Sequence, residues 1–245
     1  MENFEFYKKI RFSDTVVKKA IPRLEKLYRK IPETKGCFEN LEKCKSWCCF
    51  FQTSQLFYVE FLYIWGYIIK EWDADKIADL LKAAMRNYVA GLTTKGCILF
   101  DKKTKLCSIH LRRPLNCFFY GITPKEEFEP RYKRMKEMYK DIIGAVIRDQ
   151  CDLVSTCNGK KIKTDDTNRW FEELKKIENL IGIKKENIND DMGGSYRTFH
   201  DHLLLYLMPD NVLEDLQILR FSDNEEEKIA AIEQFIFNFR KLLKK

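Results

Sequence analysis

Residues 96–117 read GCILFDKKTKLCSIHLRRPLNC, a stretch that sets three cysteines at equal intervals around a turn and places Arg113-Pro114 just ahead of the third. Nine residues separate Cys97 from Cys107, and nine separate Cys107 from Cys117. Short apolar runs, Cys97 to Phe100 and Leu106 to Ile109, flank the polar segment Asp101 to Lys105, and this pattern predicts a strand–turn–strand hairpin. Such a hairpin brings Cys97 and Cys107 together. Pro114 fixes its own φ and biases Arg113 towards an extended conformation, so the chain changes direction before Cys117 and can return it to the same place. Three thiols facing one point is the expectation around which the rest of the fold is read.

A second sulfur-rich block lies upstream at Cys37, Cys44, Cys48 and Cys49, within CFENLEKCKSWCC. Thiolates repel one another unless a cation or a cluster neutralises them, so seven cysteines in two tight groups point to iron or zinc chemistry. With the residues of both blocks in view, the downstream one (Gly96-Cys97-Ile98-Leu99-Phe100-Asp101, then Leu106-Cys107-Ser108-Ile109-His110, then Arg112-Arg113-Pro114-Leu115-Asn116-Cys117) resembles the signature of the YkgJ-type cysteine-cluster family, the CxxCxxCC domains described as chelating zinc or iron. The upstream block departs from that pattern. The family has C-x2-C-x2-C-C, whereas here the order is Cys37-x6-Cys44-x3-Cys48-Cys49. Its C-x3-C-C portion is similar to the flagellin lysine N-methylases, which carry an iron–sulfur cluster. The resemblance runs from Cys37 to Cys117 and implies metal binding by the cysteines of both blocks, with a helical insert between them.

Length and composition frame the remainder. At 245 residues, 45% hydrophobic and 33% charged, the chain has enough apolar material for one large or two small domains. Nine cysteines is an odd number, and the opening MENFEFYKKIRF lacks the apolar core of a signal peptide. The expected compartment is therefore the cytoplasm, where dense cysteine groups bind metal more often than they form disulfides. The net charge of +7 is spread among acids and reads as a solvated surface, so no nucleic-acid partner is expected. An apolar run from Phe57 to Ile69 is broken by Glu60 and rich in aromatics, which favours a buried helix over a membrane span.

Helical periodicity dominates outside the cysteine blocks. Expected helices cover Ser13–Lys30 (capped by Ser13 or Asp14, with Pro22 inside), Gln55–Trp72 (capped by Thr53 or Ser54) and Asp73–Tyr88 (stopped by Gly91). A further helix starts at Thr123-Pro124, resumes past Pro130 and reaches about Arg148. Others span Asp165–Ile181 with Gly182 as the stop, Tyr196–Leu207, Asn211–Arg220 and Asp223–Lys244, the last with a capping box from Ser222 to Glu225. The fold class is mainly α, a multi-helix domain with one small β-hairpin carrying a cysteine metal site. Residues 1–160 read as the cysteine-cluster domain and 161–245 as a C-terminal helical region packed on it.

The candidate ligands are Cys37, Cys44, Cys48, Cys49, Cys97, Cys107 and Cys117. Cys151 and Cys157, in CDLVSTC, either add ligands or are buried apolar cysteines. Four thiolates complete one zinc site or one 4Fe-4S cluster, so the six block cysteines other than Cys37 exceed one site and fall short of two, and adding Cys37 with Cys151 or Cys157 would make eight. The irregular spacing, the vicinal Cys48-Cys49 pair and the absence of paired C-x2-C knuckles favour an iron–sulfur cluster over zinc. Arg113 is a cofactor-binding candidate, because a guanidinium offsets the charge of a thiolate cluster; a structural salt bridge is the competing role. His110 reads as structural. His200 and His202 point to different sides of a helix, which argues against joint ligation, and Gly193-Gly194 is a weak anion-binding signal. Phe50-Phe51 and Phe118-Phe119-Tyr120 are expected to form a dry shell around the metal. Three functions follow: an iron–sulfur cysteine-cluster protein, a methylase-like enzyme using S-adenosylmethionine on a protein lysine, or a structural-zinc module for an unidentified protein partner.

Overall fold

The structure is a computed structural model that describes residues 15–37, 41–44, 47–50, 54–90, 96–138, 140–141, 151–160, 162–181 and 196–243. In chain order it contains α1 (Thr15–Tyr28), β1 (Thr34–Lys35), α2 (Leu41–Cys44), α3 (Trp47–Phe50), β2 (Gln55–Leu56), α4 (Tyr58–Glu71) and α5 (Ala74–Val89). The second cysteine block supplies β3 (Phe100–Asp101), β4 (Leu106–Cys107), a 3-10 turn (His110–Arg112) and α6 (Leu115–Phe119). Then come α7 (Lys125–Met138), β5 (Ser155–Thr156), α8 (Thr164–Ile181), β6 (Arg197–Thr198), α9 (Phe199–Leu207), α10 (Asp210–Phe221) and α11 (Glu225–Leu243). The fold is mainly α, as the periodicity predicted.

Helix α4 is apolar on nearly all sides because it lies between two cores. Phe61, Ile64, Trp65 and Ile68 join Leu81 and Met85 of α5, Leu203 of α9 and Ile232 and Ile236 of α11. Phe57 and Val59, at its start, join Leu24 and Leu27 of α1, Trp170 and Leu174 of α8, and Leu115 of α6. Burial on both faces accounts for a hydrophobic run that is not a membrane segment, and no helix among the described residues is long and apolar enough to cross a membrane.

Among the described residues the strands form three two-stranded antiparallel pairs, β1 with β5, β2 with β6 and β3 with β4. Only the last was expected. The β2–β6 pair corrects the expected start of α4: Gln55 and Leu56 pair with Thr198 and Arg197, so the helix begins at Tyr58 and Ser54 does not cap it. The same pair moves the start of α9 from Tyr196 to Phe199.

Two buried carboxylates take the cap's place. Glu60 accepts from the Phe57 N–H at 2.9 Å, and Glu178 of α8 accepts from the Tyr58 and Val59 N–H groups at 3.3 and 2.8 Å. Negative groups here satisfy the orphan donors of the first turn and meet the positive end of the helix dipole. Glu60 also accepts from the Tyr28 hydroxyl and the Leu115 N–H, each at 2.7 Å, and so joins α1, α4 and α6 at one point.

Elsewhere the expected caps fare unevenly. Asp73 caps α5 as expected, accepting from the Lys76 N–H at 2.7 Å. In α11 the cap is Asn224, whose side-chain oxygen accepts from the Glu226 and Glu227 N–H groups, each at 3.1 Å, while the Ser222 hydroxyl accepts from the Asn224 N–H just ahead of the helix. Pro22 lies inside α1 and Pro130 inside α7, and neither ends its helix. Ser13, Asp14, Gly91, Gly182, Gly193-Gly194 and the stretch of the α7 expectation from 142 to 148 lie outside the described residues.

Removing the Glu60 carboxylate strands three buried donors, so Glu60→Ala is expected to cost about 3 kcal/mol or more, and Tyr28→Phe about 1 kcal/mol, by urea unfolding. Burial raises the Glu60 carboxyl above its ordinary range despite the three donors. The folded state therefore holds this proton to higher pH than the unfolded chain does. The stability advantage of the parent over Glu60→Gln should shrink as pH rises above about 4.3, the usual glutamate value.

Candidate metal centre

Seven of the nine cysteines line one cavity of about 490 Å³: Cys37, Cys48, Cys49, Cys97, Cys107, Cys117 and Cys151. Several local devices bring them there. The β3–β4 hairpin pairs Phe100 with Cys107, and the Ser108 N–H donates to Leu99 O at 2.8 Å, which carries the ladder back towards Cys97. Asp101 folds the loop by accepting from the Lys103 N–H at 2.8 Å, and Lys105 closes it at φ 57°. The two sulfur-rich blocks meet directly, through a 2.7 Å hydrogen bond from the Cys97 N–H to the Cys49 carbonyl. Arg113 is extended, at φ −61° and ψ 150°, and Pro114 opens α6, whose third residue is Cys117.

Cys37 and Cys151 come together through β1 and β5. Thr34 pairs with Thr156 and Lys35 with Ser155, and the Cys157 N–H donates to Glu33 O at 2.8 Å. Two glycines let the strips lie this close. A Cβ on Gly36, at φ 109°, would sit 1.9 Å from Leu153 O, and one on Gly121, at φ 89°, would sit 2.8 Å from the Val154 Cβ and 3.3 Å from the Cys151 Cβ. Both glycines went unread in the sequence, since without Cys151 at the cavity neither has an evident purpose.

None of the eight cysteines whose side chains are described is in a disulfide. The thiols sense one another strongly. Burial pushes Cys97 up to about 12, with charge on Cys107 and Cys48 adding, and pushes Cys107 up to about 11. Cys117 is raised by burial and by charge on Cys107 and Cys97, against a hydrogen bond with Ser54. Cys49 is raised first by its contact with Cys48, sulfur to sulfur at 3.8 Å, and then by burial. Without a cation, these sulfurs stay protonated at neutral pH.

Arg113 lines the same cavity and is buried. Its guanidinium reaches His110 Nε2 from Nη1 at 3.2 Å, donates from Nη2 to the Thr34 hydroxyl, and lies 4.6 Å from the centre of the Phe118 ring. No salt bridge to an acidic side chain holds it among the described residues. Burial, with Arg113 adding, holds His110 down to about 4, so the imidazole is neutral and accepts the Arg113 hydrogen bond. His110 itself lines the cavity, and this contact orients the Arg113 guanidinium there.

Other candidates are placed elsewhere. Cys157 is exposed and is not among the cavity-lining residues. Cys44 stands at the end of α2, and its side chain lies outside the described residues. His202 is fully buried between Tyr58 and Phe61, its Nε2–H donating to Leu56 O at 2.9 Å, and His200 contacts Thr198 Oγ1 at 3.1 Å; neither lines the cavity. Of the expected dry shell, Tyr120 lines the cavity, whereas Phe119 turns away to stack on Trp170. Phe51 and the Phe50 side chain lie outside the described residues. Leu56, Ile64, Leu99, Ile109, Val154 and Phe199 supply the apolar wall instead.

A single ion needs its donors gathered on one point. Among the described residues no three Cys, His, Asp or Glu side chains are so gathered. The thiols are instead distributed around the wall of a wider space, and their chemistry suits zinc, iron or an iron–sulfur core. Residues 37–138 match the model of the CxxCxxCC family, whose description reads "Putative zinc- or iron-chelating domain". Cys151 lies beyond the matched residues. No curated protein and no solved structure matches the chain.

In metal-free, reduced protein, alkylation by iodoacetamide at pH 8 should modify Cys157 first. Only the thiolate reacts, so Cys97 and Cys107 should be slower by about a hundredfold or more. Peptide mass spectrometry over time reads this order, and equal rates for all three would contradict the raised thiols of Cys97 and Cys107.

Proposed function

We propose that this chain, whose residues 37–138 carry a CxxCxxCC chelating domain, holds an iron–sulfur cluster in the seven-cysteine cavity. The observation that carries the reading is the spread of the sulfurs. Ligands to a zinc ion converge at about 2.3 Å on one centre, whereas the cysteines of a 4Fe-4S cluster stand around the faces of a core several atoms wide. A cavity of about 490 Å³ ringed by thiols, with no three described donors at single-ion spacing, fits the second arrangement. The apolar wall supports it further, since exclusion of water tunes a cluster's potential.

In this reading Cys97, Cys107, Cys117, Cys48 and Cys49 form the core of the donor set. Cys37 and Cys151 complete it from the β1–β5 side, and Cys44 belongs to it through its place between Cys37 and Cys48. Cys157 takes no part. A cluster bound here supplies one-electron transfer. What the chain's own residues do is hold thiols apart, exclude water and, through Arg113, balance charge. Methyl transfer from S-adenosylmethionine to a protein lysine is a separate reading, which labelled methyl donor tests on the same preparation.

Anaerobically purified full-length protein is expected to be brown, with about four iron atoms and matching acid-labile sulfide per chain. Cys107→Ser should lose most of the iron, and Cys157→Ser should keep it. A colourless preparation with stoichiometric zinc would overturn the iron–sulfur assignment in favour of a structural zinc site.

A further inference from the structure

A buried guanidinium calls for negative charge, because an ion moved out of water without a partner costs several kcal/mol. Arg113 is only 7% exposed, and its hydrogen bonds described above go to two neutral groups, the imidazole of His110 and the hydroxyl of Thr34. Its Nε–H is buried without a hydrogen-bond partner. The two neutral contacts and the Phe118 ring fix the plane of the fork, which leaves the Nε edge unclaimed beside a cavity of thiols. Cys107 and Cys117 line the same cavity and flank Arg113 in the chain, before the 3-10 turn and on α6 respectively.

We infer that Arg113 is the anion-binding residue of this cavity: its free Nε edge donates to negative charge on the metal-bound thiolates of Cys107 and Cys117. This rests on the reading that the cavity holds a metal centre. Four or more thiolates around an iron or zinc centre leave net negative charge, and Arg113 is the buried cation placed to meet it. His110 and Thr34 are positioning residues for the guanidinium. A carboxylate of a small bound acid has the same hydrogen-bonding chemistry, so the test separates the two sources of the anion.

The experiment uses full-length protein purified anaerobically, comparing the parent with Arg113→Gln, Arg113→Lys and Thr34→Val. In Arg113→Gln the centre should pass its metal to a chelator about ten- to a hundredfold more readily, the usual cost of losing an outer-shell partner. If the centre is redox-active, its midpoint potential should move to more negative values, because the reduced, more anionic state loses its neighbouring cation. Arg113→Lys should recover part of both effects by restoring the charge without the planar fork. Should Arg113→Gln fail to fold, Thr34→Val decides, with a smaller change in the same directions expected. Parent-like metal retention and potential in the folded variants would overturn the assignment. So would a response to citrate, in spectrum or thermal midpoint, that the parent shows and Arg113→Gln lacks while retaining its metal; the anion would then be a small acid. A parent that binds no metal at all would instead remove the proposed function.

Discussion

The carboxylate of Glu60 is buried where three helices meet, and the arrangement of the cysteine cavity follows from it. Its oxygens take the Tyr28 hydroxyl of α1, the Phe57 N–H at the start of α4 and the Leu115 N–H at the start of α6. Leu115 is two residues from Cys117, so the same carboxylate that begins the central helix also sets the third cysteine of the hairpin block. Desolvation of such a group is expensive, and the upward push of burial on its carboxyl shows that cost. Three hydrogen bonds and two helix N-termini offset it. Glu178 completes the cap from α8, which ties the C-terminal helices to the same point.

The cavity is a product of tertiary packing more than of local structure. Two-residue strand pairs are marginal when isolated, yet three of them bound the site, each joining segments that carry or adjoin cavity residues. They persist because the helices behind them are buried: β2 and β6 pair next to the core residues Leu56 and Phe199, and β1 lies beyond the end of α1. Thiols separated by more than a hundred positions, Cys37 and Cys151, come to one wall because α1 and α8 pack together and Gly36 and Gly121 permit close backbone approach. A side chain at either glycine would hold the Cys151 strip away from the cavity.

How much of this was legible in the sequence differs by the range of the interactions. Helices with a clean apolar stripe, such as α5 with Asp73 as its cap, could be read because their causes lie within one turn. That Cys97, Cys107 and Cys117 line one cavity follows from a hairpin and an Arg-Pro bend, which are local, but among the described residues they do not gather on the single point that the spacing predicts. The start of α4 was misplaced because its cap is supplied by Glu178, more than a hundred residues away, and because Gln55 and Leu56 are claimed by a distant strand. Glu60 was read only as an interruption of an apolar run. Its function as a hub has no local signature. Phe119 and Tyr120 were assigned to one shell, but α6 turns them to different sides, a distinction that depends on the exit direction of a five-residue helix.

The electrostatics of the site also bear on how the fold is completed. With the thiols raised by burial and by one another, the charges lining the metal-free cavity are those of Arg113 and the exposed Lys105, a state the protein tolerates because sulfur is weakly polar. Metal binding exchanges those protons for a cation, so affinity and folding are linked through the same groups. The elements this linkage touches are the least self-sufficient ones: two four-residue helices, a two-residue hairpin and the β1–β5 ribbon. The helical cores of α4, α5, α9 and α11 stand on apolar burial and carry none of the sulfur ligands. The chain therefore divides its stability in two, with a helical body that packing holds and a cysteine-rich face whose order, under the proposed metal binding, is linked to the centre it holds.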